Sequence, residues 1–201
     1  MSKENTLDIY SDEGPINDIQ SLLSSITYME DVENTTELDL SDFGGKHGLE
    51  PEIFSPQKPL VSSLDVAEYI LSKTGPISTM KLQKLAYYCQ AWSLVWDEEP
   101  IFHENIEAWA NGPVIRELFN YHRGMFDIEK VLTGNPALLT KTQLETIDAV
   151  LDFYGKKSAQ WLIELSHSEE PWKDARRGLR ESERGSRIIS LESMANYYSS
   201  I

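Results

Sequence analysis

The stretch that most limits what this chain can fold into is Ser78-Thr-Met-Lys-Leu-Gln-Lys-Leu-Ala-Tyr-Tyr-Cys-Gln-Ala-Trp-Ser-Leu-Val-Trp96. Met80, Leu82, Leu85, Tyr88, Cys89, Trp92, Val95 and Trp96 recur at spacings of three and four, which gives one broad apolar helical face. Ser78 is placed to cap the first turn, with Ile77 before it as a staple onto Leu82. Gly75-Pro76 marks the turn behind, and Pro100 closes the far side. From Thr79 to Trp96 such a helix spans about 27 Å at about 1.5 Å per residue, enough to cross a small domain. Buried Tyr and Trp also need polar partners, so other elements must wrap this helix closely. The expected fold is therefore mainly α: a compact multi-helix domain around a central Tyr/Trp-rich helix.

The flanking pattern extends that reading. Val66, Ala67, Ile70 and Leu71 predict a helix stopped at Gly75-Pro76. After the central helix the period is lost. Ile106 to Ala110 reads as a short extended segment, and Asn111-Gly112-Pro113 as a sharp turn. Pro113 then reads as the first residue of a helix through Val114, Ile115, Leu118 and Phe119, ended by Gly124. Val131-Leu-Thr133 is a candidate second strand, which allows at most one small β-hairpin. Thr140 and Gln143 form a capping-box pair ahead of Leu144, Ile147, Val150, Leu151 and Tyr154, with Gly155 at the end. Ser158 caps a helix carrying Trp161, Leu162 and Leu165. Basic helical residues follow from Lys173 to about Arg180, and a last helix runs from Ser190 to Tyr198.

Charge divides the chain into a domain, 62–201, and an acidic N-terminal arm, 1–61. The arm carries 13 Asp/Glu against 3 Lys/Arg, out of 33 and 18 in the whole chain. Its glycines and prolines from residue 30 to 60 are linker composition. Within it, from about residue 15 to 29, Ile16, Ile19, Leu22, Leu23, Ile26 and Met29 fall on one helical face. That face is read either as docked on the domain or as ordered in a groove of a partner. A net charge of -15 makes nucleic acid a poor direct partner. The single cysteine, Cys89, excludes an intrachain disulfide framework, and no leader or membrane span is evident, so a cytoplasmic setting is expected.

Catalytic motifs are missing. There is no phosphate-gripping glycine loop, no Gly-x-Ser-x-Gly elbow and no His-Glu-x-x-His. His47, His103, His122 and His167 lack ligand spacing, so neither a metal nor a cofactor is expected. Cys89 lies on an apolar helix face, where a thiol is inert. Among enzyme readings the strongest is a small hydrolase or metal-dependent enzyme built on His103 and His167.

Three blocks in register carry a family resemblance. Met80-Lys-Leu-Gln-Lys-Leu-Ala-Tyr-Tyr88 is followed by Pro100-Ile-Phe102, Glu107-Ala-Trp109 and Asn111-Gly-Pro-Val114, then by Leu165-Ser-His-Ser-Glu-Glu-Pro-Trp172. Over about residues 63–180 the chain resembles the Panacea, or SocA-like, antitoxin domain, which phage-associated GepA-type proteins share. The resemblance implies a helical antitoxin that neutralises a co-encoded protein toxin by direct contact. A close variant is an adaptor that brings its toxin to a AAA+ protease. Many relatives carry an N-terminal DNA-binding module, but residues 1–61 show no helix-turn-helix pattern and no cysteines for a zinc module.

The resemblance does not name the contact residues; the residues themselves offer candidates. Lys81 and Lys84 are read on the polar side of the central helix. Trp109, Asn111, Gly112 and Pro113 make a turn beside an aromatic anchor, with Arg116 one turn later. Ile16, Ile19 and Leu23 are the arm's candidates. The competing reading makes Lys81, Gln83 and Trp109 architectural, as polar partners of turns and core. The group Lys173, Arg176, Arg177 and Arg180 reads either as a solvated helix face or as an electrostatic clamp for the acidic arm.

Overall fold

A computed structural model describes residues 60–180 and 182–201; the predicted helix at 15–29 lies outside the described residues. Helix α1, Ser63–Thr74, begins at a capping box in which Ser62 accepts from the Asp65 amide and Asp65 accepts in return. Gly75 ends it at φ 71°. A two-residue strand β1, Ile77–Ser78, leads directly into α2, Thr79–Trp96, with the Ser78 hydroxyl accepting from the Lys81 amide. The helix therefore runs over the residues its periodicity predicts.

The chain then forms a hairpin of β2, Ile106–Trp109, and β3, Gly112–Ile115, in the antiparallel register Glu107 to Val114 and Trp109 to Gly112. The remaining elements are helix α3, Arg116–His122; strand β4, Asp127–Ile128; a 3-10 turn, Pro136–Leu138; and helices α4, Lys141–Tyr154, α5, Ala159–Ser168, α6, Glu170–Ala175, and α7, Leu191–Tyr198. Thr140 with Gln143 and Ser158 cap α4 and α5, as their sequence positions predict, and Ser190, read as the first residue of the last helix, caps α7.

Three local expectations are corrected. Pro113 does not open a helix: it sits in β3, and α3 starts at Arg116. Val131–Thr133 is not a strand; Asp127–Ile128 is, paired with Ile77–Ser78, so a second small antiparallel pair accompanies the hairpin. The basic helix is shorter and earlier than predicted, because α6 ends at Ala175.

Helix α2 is the axis of the core. Leu82 to Ser93 is buried without a break, and α1, α4, α5, α7 and β3 all pack on it. At its C-terminal half the rings of Tyr88 and Tyr154 stack at 4.3 Å, and the Trp92 indole N–H donates to the Tyr154 hydroxyl at 3.0 Å. Tyr198 closes this cluster from α7 and donates to the buried Glu169 carboxylate at 2.6 Å, and Tyr88 reaches the same carboxylate at 3.3 Å. Burial pushes the Glu169 carboxyl up to about 8, against the opposing pull of its tyrosine donors.

Candidate functional site

The N-terminal half of α2 holds the hairpin by side chains rather than by a neighbouring strand. Alternate residues of β3 turn their backbone groups away from β2, leaving the outward groups of Pro113 and Ile115 to be satisfied elsewhere. Gln83 accepts from the Ile115 amide at 2.8 Å and donates to its carbonyl at 3.3 Å. Lys84 donates to the Pro113 carbonyl at 2.8 Å. Proline is tolerated at 113 because this position of β3 needs no donor toward β2. Gly112, at φ 98°, is required twice over, since a Cβ there would lie 2.7 Å from the Lys84 Nζ. On the other side, β2 is covered by the chain at 187–189: the Ala108 amide donates to Arg187 and the Ile189 amide to Ile106, both at 2.8 Å.

Lys84 is fully buried, which corrects its placement on the polar side of the helix. Desolvation brings its ammonium down to about 7. The apolar period cannot reveal a lysine whose partner is a carbonyl 29 residues downstream. Gln83 also fixes a histidine. With its oxygen taken by an N–H, its Nε2 is the donor, so His122 Nε2 at 2.9 Å must accept and the ring proton lies on Nδ1. Burial accordingly lowers the His122 pKa.

Beside this lock lies a groove of about 1050 Å³. Met80, Gln83, Trp109, Val114 and Phe119 line one part of it. Asn111, Arg116, His122, Met125 and His167 continue the lining, and Ser182, Arg184, Gly185 and Ser186 contribute from the C-terminal segment. Trp109 is the anchor. Its indole N–H donates to Glu107 at 2.7 Å, Phe119 packs edge-on at 4.7 Å, and the Arg116 guanidinium lies 4.9 Å over its ring. Arg116 also holds Glu107 in a two-point ion pair at 2.9 and 2.6 Å. Exposed Met125 stands at the rim, and Phe126 beside it is 81% exposed.

The structure thus brings Trp109, Asn111 and Arg116 to one groove, with Gly112 and Pro113 in the second strand of the hairpin that shapes it and Lys84 packed beneath that strand. Lys81 is not among the lining residues: half-buried, it donates to the Gly155 carbonyl at 2.7 Å at the end of α4. Ile16, Ile19 and Leu23 lie outside the described residues. The basic group splits by role. Arg176 is buried and ties the carbonyls of Ala108, Arg180 and Glu183 together, whereas Arg177 is exposed and pairs with Asp174. Sequence reasoning missed the groove wall at 182–186, Gln90, Glu169 and the exposed Met125-Phe126 pair. Of these Met125-Phe126 carried a signal, two large apolar residues directly after Gly124, and Glu169 lies inside the Leu165–Trp172 block, which did not reveal its burial. Cys89 is buried, and desolvation pushes its thiol pKa well up, so no nucleophile is present there. Among the described residues no cluster of three or more His, Cys, Asp or Glu is arranged to hold a metal, and no helix is long and apolar enough to cross a membrane.

Comparison with known proteins places this mainly helical domain in a defined class. The model of the family "Antitoxin SocA-like, Panacea domain" matches residues 82–173, which run from the lock on α2 into α6. Antitoxin SocA of Caulobacter vibrioides (strain NA1000 / CB15N) is 30% identical over 129 residues, covering 56% of this chain and 69% of that protein. The chain belongs to the SocA-like, Panacea-domain antitoxin family. No solved structure matches it.

Proposed function

We propose that this chain neutralises a co-encoded protein toxin by binding it directly, without catalysis, and that the groove beside the hairpin is the contact surface. Family membership is the observation that carries the reading. The groove supports the choice of surface, because Trp109 and Arg116 are residue types that anchor interfaces and lie beside exposed Met125 and Phe126. The buried Cys89 and the committed His122 Nε2 fit a binding role better than a chemical one. Ile16, Ile19 and Leu23 of the acidic arm extend the contact in this reading; deleting residues 1–60 then weakens neutralisation, and unchanged affinity removes the arm from it.

The test is to express the neighbouring gene inducibly, with and without this protein, and to follow growth and the toxin level. Arrest by the neighbour, rescue by co-expression and a co-purifying complex are the expected result, with Phe126→Asp impairing both rescue and the complex. Rescue accompanied by loss of the toxin replaces occlusion with delivery to a AAA+ protease. A harmless neighbour overturns the reading.

A further inference from the structure

Acidic residues make up about one in six of the chain, yet no carboxylate is among the described residues that line the groove. Two arginines line it instead. The exposed Arg116 guanidinium is already held by Glu107 in a two-point ion pair, whereas Arg184 is exposed and makes no ion pair with any described residue. The hydroxyls of Ser182 and Ser186 and the Asn111 amide add hydrogen-bonding capacity at the same wall. Phe119 and Met125 add apolar lining, and Phe126, next to Met125 in the chain, is exposed as well.

We propose that the groove is a receptor for an acidic peptide segment of the toxin, in which a carboxylate meets Arg184 and a neighbouring aromatic or aliphatic side chain covers Met125 and Phe126. The proposal rests on the antitoxin reading for the source of the segment and on charge complementarity for its chemistry. At about 1050 Å³ the groove is at the upper limit of small-molecule sites, roughly 300–1,000 Å³, and a small anion would leave Phe126 uncovered. A nucleic acid would bring a continuous line of phosphates toward a chain of net charge -15, whereas a peptide brings its charge only where the arginines are.

The experiment needs no toxin. A displayed library of random 12-residue peptides is selected on the immobilised full chain, and an enriched peptide is synthesised with a fluorescent label and titrated. Enriched sequences are expected to place Asp or Glu next to Phe, Tyr, Trp or Leu. Arg184→Glu should weaken the labelled peptide by about tenfold or more, Phe126→Ser should weaken it independently, and Arg177→Glu should leave it unchanged. All three side chains are exposed, and thermal melts check that each variant is folded. The proposal is overturned if nothing is enriched, if the enriched sequences are neutral or basic, or if Arg184→Glu and Phe126→Ser bind as the unaltered chain does. Toxin rescue without peptide selection removes this proposal and leaves the antitoxin reading standing. Peptide binding beside a harmless neighbour does the reverse.

Discussion

The two halves of α2 are buried equally well but by opposite chemistry. The N-terminal half reaches out with Gln83 and Lys84 to backbone groups of a hairpin, next to an open groove. The C-terminal half draws other elements in, packing Tyr88 and Trp92 against Tyr154 and Tyr198 around the Glu169 carboxyl. One end fixes the shape of a surface, and the other fixes the interior. A lysine whose charge is disfavoured sits at the first, and a carboxyl whose charge is disfavoured sits at the second. The difference teaches that buried polar residues in this domain are fasteners, and that each half has its own.

The largest break in this comparison is Trp92→Ala, which opens a cavity in the tyrosine end and costs about 3–5 kcal/mol in urea unfolding. Amide exchange should then show α7 losing protection before the hairpin does. Gln83→Leu is the converse. It leaves the Ile115 amide and carbonyl unpaired, costs about 2–4 kcal/mol, and should expose the β2–β3 amides while α7 stays protected. Equal loss of protection at both ends in either variant would show that the halves are one cooperative unit. Gly112→Ala comes next. It combines a positive φ with a 2.7 Å approach to Lys84 and costs about 1–3 kcal/mol, read as a lowered melting temperature.

The smallest effects are in pH, and they sharpen the contrast because their signs differ. Glu169 titrates near 8 in the fold against 4.5 as its ordinary value, so its contribution to stability is full below about 4.5 and is lost as pH rises through 8. Lys84 titrates near 7 in the fold against 10.5, so stability gains as pH rises from about 7 to 10.5. Glu169→Gln should therefore gain on the unaltered chain as pH rises from 4.5 to 8. Lys84→Met should lose ground to it between 7 and 10.5. Denaturant midpoints across pH 5 to 10 check both, and parallel profiles for all three proteins would show that neither group titrates in the fold as described.

Legibility in the sequence followed the same division. Most helix limits and the caps Ser78, Thr140 and Ser158 were readable because they depend on local signals: each cap acts within three residues of itself. The tyrosine end was readable as an apolar face, although its carboxyl partner Glu169 was not. The hairpin end was misread where a local signal competed with a distant partner. Pro113 looked like a helix start because Val114, Ile115 and Leu118 follow it, and nothing nearby announces that Gln83 completes a strand there. Lys84 was assigned to the surface because a period of apolar residues counts lysine as polar. The groove's C-terminal wall was invisible for a related reason, since the pairing of 187–189 with β2 joins segments some 80 residues apart.

Gln90 repeats on α2 what Gln83 does. Its oxygen accepts from the amides of Ile101 and Phe102 at 3.0 and 3.1 Å, and its nitrogen donates to the Phe102 carbonyl at 3.0 Å. The two glutamines are seven residues apart, two helical turns or about 10.5 Å along one stripe. The helix is thus a ruler with two marks, each gripping a different stretch of the downstream chain. A single residue inserted between the marks would rotate one by about 100° relative to the other, so only one stretch could stay gripped.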